Sequence, residues 1–249
     1  NLRMLFDVCV KDKRQLFPTP IVQQTAFWSV VKSKLGAETL AVNFKTKESS
    51  LFCSGKSDSP VLSDLLVIIE HIDQDHSVAY VPYGPELEPE DENQGVFLEE
   101  LSECLRSFLP LNCILIRYDL CWQSVWAKDE DNYDYHGNWR GAPALPSQEI
   151  RFNYNTVKRN FKKASFNILP ANTVFLNLKR DTGEILSCMK PKTRYNIGLA
   201  GRKNVRVRIA GIENIDIWYD LYKETAGRNN LYINDIKYFE TVLSVKANN

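Results

Sequence analysis

Apolar residues recur every four positions at Phe27, Val31 and Leu35, and Gly36 follows at once. This spacing predicts a helix that a glycine stops, with Pro18 and Pro20 ahead of it. Residues 39–44 then read as a strand, and the unbroken apolar run 65–69 as a buried one. Residues 78–81 form another short strand pattern, closed by the turn sequence Pro82-Tyr83-Gly84-Pro85. Phe97, Leu101, Leu105 and Leu109 return to the helical period, and residues 113–118 to a strand. Strands alternating with helices predict an α/β architecture (α+β, mixed sheet) rather than a bundle or a sandwich.

Residues 128–149 break this rhythm. The stretch is polar, aromatic and glycine-containing, it includes Pro143 and Pro146, and it reads as an ordered loop at a domain boundary. The expected division is therefore 1–150 and 151–249. In the second part, residues 173–178 and 205–209 have strand patterns. Asp181 or Thr182 is placed to cap a helix carrying Ile185, Leu186 and Met189. Ile215, Trp218, Tyr219 and Tyr222 mark one further helix, and Tyr238, Phe239, Val242 and Leu243 another. Two strands are too little sheet for these helices, so the second unit reads as unfinished at Asn249.

Charge changes the picture more than composition does. The chain has 31 Lys/Arg and 31 Asp/Glu, yet residues 70–149 hold 4 cations against 17 acids and residues 151–208 hold 14 against 2. Segregation of this kind points to a phosphate-rich ligand for the second half, or to pairing between oppositely charged regions. From Met189 to Ile209 there are seven cations and no acid. Pro191 suits a first helical turn, and Lys190 and Arg194, four apart, share a helix face. Val205, Val207 and Ile209 alternate with Arg206 and Arg208 in the period of a half-buried strand. Arginine offers forked donors and lysine a point charge, a combination suited to phosphate.

Six cysteines at 9, 53, 104, 113, 121 and 188 include no Cys-x-x-Cys pair. Cys53, Cys104, Cys113 and Cys188 sit among apolar neighbours in sequence, which favours a reduced intracellular protein with core thiols over a disulfide framework. His71, His76 and His136 lack metal-ligand spacing, and no metal site is expected. No apolar run reaches the length of a membrane span, and no secretory signal opens the chain.

Several segments together resemble the Fem family (FemABX) of peptidoglycan-precursor aminoacyltransferases. They are Phe27-Trp28-Ser29-Val30-Val31-Lys32, the turn Tyr83-Gly84-Pro85, and Leu115-Ile116-Arg117-Tyr118-Asp119. Asn172-Thr173-Val174-Phe175-Leu176-Asn177-Leu178, Met189-Lys190-Pro191-Lys192-Thr193-Arg194-Tyr195-Asn196-Ile197 and the stretch from Tyr219 to Asn229 complete the set. The resemblance implies two tandem GNAT-like (acyl-CoA N-acyltransferase-like) domains, the second incomplete here. It implies transfer of an amino acid from aminoacyl-tRNA to an amine on the stem peptide of a peptidoglycan precursor, a step of interpeptide-bridge synthesis. The family's diphosphate-gripping lysine and the arginine of its Lys-Thr-Arg motif match Lys32 and Arg194. Lys192 is a helper, and Lys34 is the alternative to Lys32. The catalytic residues are expected beyond Asn249. The resemblance also implies no cofactor other than aminoacyl-tRNA as co-substrate, a UDP-linked or lipid-linked muropeptide as ligand, and no stable protein partner. It places the protein in the cytoplasm, at the inner membrane face where the precursor is lipid-linked. Gly198, Gly201 and Asn204 depart from the family's commoner residues.

Two rival readings remain. An acetyl-CoA-dependent N-acetyltransferase would need a glycine-rich pyrophosphate loop, and its nearest counterpart is residues 195–200. A non-catalytic RNA-binding module would use Phe152, Tyr154, Phe161 and Phe166, which interleave with cations.

Overall fold

Strands β1 (Leu5–Lys11), β2 (Glu38–Lys47), β3 (Pro60–His71), β4 (Ser77–Pro82) and β5 (Cys113–Asp119) form one sheet in chain order. The first three junctions are antiparallel and the β4–β5 junction is parallel. A parallel neighbour requires a crossover, and helix α3 (Gln94–Arg106) supplies it. The computed structural model describes residues 3–53, 58–173 and 176–245. The architecture is a mixed α/β one.

Strand pleating sorts the side chains onto two faces. On one face Val42, Phe44, Leu65, Val67, Ala79 and Val81 pack against Phe97, Leu98, Leu101 and Leu105 of α3. Phe97 meets Phe44 edge-on, with ring centroids 6.0 Å apart. On the other face Ala41 and Leu66 join Leu16 and Trp28. Trp28 belongs to α1 (Ala26–Lys34), which starts where the Thr25 hydroxyl accepts from the Trp28 N–H. The helix stops before Gly36, whose φ of 92° explains the glycine there. A single turn, α2 (Glu48–Leu51), follows β2.

The four expected strands of the first half are present. Strand β1 is an addition: Asp7 has φ 50°, and the register shifts between Phe6 and Cys9. A bulge of this kind interrupts the two-residue period by which a strand is recognised. The stretch 128–149 is a loop for most of its length, but α4 (Leu145–Asn153) begins inside it, with a proline in its first turn. Helix α4 packs so closely on α3 that a β-carbon on Gly95 would lie 2.2 Å from the Phe152 carbonyl oxygen.

The chain folds as two compact units, the first running to Leu169 and the second comprising Pro170–Ser244. Residues 151–169, which share the cationic character of residues 170–208, pack within the first unit. Phe152 and Phe161 lie against its core, and Glu99 accepts from the Val157 and Lys158 amides.

The second unit contains helices α5 (Thr182–Cys188), α6 (Pro191–Arg202), α7 (Ile215–Asn229) and α8 (Ile236–Ser244). Asp181 caps α5 by accepting from the Gly183 and Glu184 amides. Helix α6 begins at Pro191 as its sequence predicts. It ends with Asn204 at φ 59°, the Val205 N–H bonded to the Ala200 carbonyl and the Asn204 N–H to Gly201. That is a Schellman ending, and asparagine accepts its left-handed position. Trp218 and Tyr222 of α7 pack with Phe239 of α8.

Two strand expectations fail here. Residues 205–209 are in no strand, and Val207 and Ile209 are almost wholly exposed. Of the segment 173–178, Val174 and Phe175 lie outside the described residues, and Leu176, Asn177 and Leu178 are not in a strand. Alternation gives a segment one apolar edge, but a strand also needs a neighbouring ladder for its N–H and C=O groups. The second unit provides none among the described residues. The cysteine expectation is also corrected. Cys53 and Cys188 are exposed and only Cys104 and Cys113 are partly buried, because apolar neighbours in sequence do not ensure apolar neighbours in space.

Candidate functional site

Register places a set of polar side chains on the α1 side of the sheet. Ile68 pairs with Tyr80, Tyr80 with Arg117, and Pro82 with Asp119. Paired residues share a face, and so do residues two apart, so Glu70, Tyr80, Arg117 and Asp119 all lie on the face that α1 covers. The opposite face of the same strands is apolar core. Polar residues at this spacing inside otherwise apolar strands are a signal that sequence alone could have offered for Arg117 and Asp119.

Lys32 reaches this face from α1, its Nζ 3.0 Å from Oε1 of Glu70. Lys32 is 21% exposed and Glu70 47%, and a pair that open to water is worth under about 1 kcal/mol. The lysine is therefore held in position yet can exchange Glu70 for another anion. Lys34 points outward and has no ion-pair partner among the described residues.

Across the strands, the Tyr80 hydroxyl donates to Oδ2 of Asp119 at 2.9 Å, and the Leu169 N–H donates to the same oxygen at 3.0 Å. Nε of Arg117 lies 3.6 Å from Oδ1 of Asp119. Its guanidinium stacks over the Phe166 ring, 4.8 Å from the centroid, and donates to the Phe166 carbonyl. Nε itself is buried without a hydrogen bond among the described residues. Burial, then the hydrogen bond and charge of Asp119, push the Tyr80 hydroxyl far above the usual tyrosine range, so it remains a proton donor. Burial, then Asp119, also push Tyr83 up. Phe166, a base-stacking residue in the RNA-binding reading, is engaged here with Arg117.

In the second unit, Lys192 and Arg194 stand two apart on α6, a spacing that turns them to different faces. Both are exposed. Nη1 of Arg194 donates to the Ser187 and Met189 carbonyls at the end of α5. A guanidinium suits that position, where helix carbonyls lack partners and the dipole is negative. Its Nε and Nη2 have no hydrogen bond among the described residues and keep a forked edge for an anion. Residues 195–200 lie within α6, so most of their amides serve helix bonds and they form no pyrophosphate loop.

Other acid-rich places are structurally engaged. A hollow of about 810 Å³ between β1 and α3 is lined by Glu99, Glu100 and Glu103. There Glu100 accepts from the Met4 and Leu5 amides, as Glu99 does from Val157 and Lys158. Among the described residues, no group of three His, Cys, Asp or Glu is placed to hold a metal ion, and no helix is long and apolar enough to cross a membrane.

The FemAB family model matches residues 17–246, a span that takes in Lys32, Lys34, Lys192 and Arg194 as well as the β3–β5 face. The chain belongs to the FemAB family. Among solved structures, a crystal structure of FemX is similar over 90% of this chain and 49% of its own, with 14% sequence identity and a TM-score of 0.49. This FemAB chain thus spans about half the length of the FemX chain it matches. No curated protein matches it.

Proposed function

We propose that this FemAB-family chain acts in the synthesis of peptidoglycan interpeptide bridges, as an acyltransferase that moves an amino acid from aminoacyl-tRNA onto a stem-peptide amine of a muropeptide precursor. The observation that carries the reading is the family match across 17–246, which spans both cations expected to grip the precursor diphosphate. The sheet, with three antiparallel junctions and one parallel, supports a GNAT-like assignment for the first unit.

The chemistry needs little beyond positioning. The acceptor amine attacks in its neutral form. Its nitrogen forms a bond to the ester carbonyl carbon, the bond from that carbon to the tRNA ribose oxygen breaks, and the amine's proton ends on the departing oxygen. Because the ester is already activated, no nucleophilic side chain is required. Anchoring the remote diphosphate on cations, for which Lys32, Arg194 and Lys192 are the candidates, would supply binding energy that orients the distant amine. Lys32 suits this role because Glu70 holds it in place only weakly.

The test is a transfer assay with charged tRNA and a UDP-linked muropeptide. The protein is expected to attach labelled amino acid to the precursor and to show no acetyl-CoA turnover. Acetylation without aminoacyl transfer would replace this reading with the N-acetyltransferase one.

A further inference from the structure

The β3–β4 ladder stops at Ile68 and Tyr80, although both strands continue. Beyond that point the two strands part, and a side chain fills the gap. Gln24 is 5% exposed, its Oε1 accepts from the Leu66 N–H at 2.8 Å, and its Nε2 donates to the Pro82 carbonyl at 2.7 Å. A longer contact of 3.3 Å runs from Nε2 to the Leu66 carbonyl. One carboxamide thus takes the place of a strand neighbour for buried backbone groups that would otherwise be unpaired.

The wedge reaches two parts of the candidate site. Gln24 immediately precedes Thr25, the cap of α1, and α1 carries Lys32. On the other side it holds Pro82, after which Tyr83 adopts φ 46°, a left-handed conformation that an aromatic residue takes up only under constraint. The next residue, Gly84, has room for no side chain there: a β-carbon would lie 2.7 Å from Nε2 of Gln24. Trp122 secures the far end of the turn by donating from Nε1 to the Pro85 carbonyl at 2.8 Å.

We propose that Gln24 is a positioning residue for the candidate site: its carboxamide wedges β3 from β4 and holds the Tyr83 turn and the Lys32 helix in the arrangement that receives the precursor. The identity of that ligand rests on the proposed function; the wedge itself rests on the geometry of Gln24, Leu66, Pro82 and Gly84.

Gln24→Met keeps the volume and removes the hydrogen bonds. It is expected to speed hydrogen exchange at the Leu66 amide by about a hundredfold, to move the Tyr83 Cα chemical shift towards ordinary extended values, and to weaken UDP-muropeptide binding about tenfold. Gly84→Ala is the second variant, since its β-carbon would meet the Gln24 amide first, at 2.7 Å, and Val81 Cγ1 at 3.0 Å; it should reproduce the Tyr83 shift even where Gln24→Met fails to fold. Lys32→Ala should weaken binding and leave the Leu66 amide and the Tyr83 shift as in the wild type. Loss of Leu66 protection with unchanged precursor affinity would overturn the positioning role and leave the Lys32 reading standing. A wild-type protein that binds no precursor would end the proposed function, and an unchanged Tyr83 shift in Gln24→Met and Gly84→Ala would then overturn the wedge as well.

Discussion

The two units differ in how many of their cations are paired. In the first, Lys11 pairs with Asp64 at 2.7 Å, Lys32 with Glu70 at 3.0 Å, Lys45 with Asp7 at 2.9 Å and Lys128 with Asp91 at 2.8 Å. In the second, Lys223 pairs with Asp220 at 2.8 Å, but Lys190, Lys192, Arg194, Arg202, Lys203, Arg206 and Arg208 have no ion pair among the described residues. Packing follows the same division. The first unit buries a sheet under α3, whereas in the second only Ile215 and Ala226 are buried apolar residues among those described. Charges matched inside a unit lower its field, and unmatched ones are left to an external anion. Lys11–Asp64 is the buried pair of these, whereas the acidic partners of Lys32, Lys45 and Lys128 are 44–63% exposed and can be exchanged for another anion.

The contrast in packing gives the largest expected effect. Phe97→Ala removes a fully buried ring and should cost about 3–5 kcal/mol in denaturant unfolding. Trp218→Ala, at a residue that is 45% exposed, should cost less, about 1–2 kcal/mol. Equal losses would show that the second unit has a core as tight as the first. Next comes Gly95→Ala, whose added carbon meets backbone rather than a movable side chain. About 2–3 kcal/mol of destabilisation is expected, together with faster proteolysis after Arg151 as α4 loosens. A stable Gly95→Ala protein with α4 still protected would refute the close α3–α4 contact.

A smaller effect concerns the thiols. Burial, then the Glu100 carboxylate, push the Cys104 thiol up, so at pH 8 it holds less thiolate than an ordinary cysteine and should alkylate slowly. Its labelling rate should still be climbing above pH 9, and mass spectrometry should find the exposed Cys188 labelled first. Cys104 modified as fast as Cys188 would contradict the burial described for α3.

What could be read from the sequence depends on the range of the forces involved. Helices α1, α3 and α6 announce themselves because period, caps and stops lie within a few residues of each other, as with Gly36 and Pro191. Strands β2 to β5 were visible as apolar runs. Strand β1 was hidden by the bulge at Asp7, and the ladder expected at 205–209 depends on a neighbour that periodicity cannot supply. Lys32, with Lys34 as its alternative, and Arg194 became candidates only through a family resemblance. Of the cluster of Glu70, Tyr80, Arg117 and Asp119, only the spacing of Arg117 and Asp119 is a local signal; their meeting with Glu70 and Tyr80 exists only through the register of three strands distant in sequence. Gln24 was equally hidden, since nothing local distinguishes a polar residue that will plug a gap between strands from one that will face water.

Equilibrium binding of a UDP-linked muropeptide most directly tests the proposed roles of Lys32 and of Arg194 in holding the precursor. Lys32→Ala and Arg194→Ala are each expected to weaken binding by about tenfold or more, the range for losing a charge-assisted hydrogen bond, and wild-type affinity should fall as salt rises. Affinity unchanged in both variants, or insensitive to salt, would contradict the account.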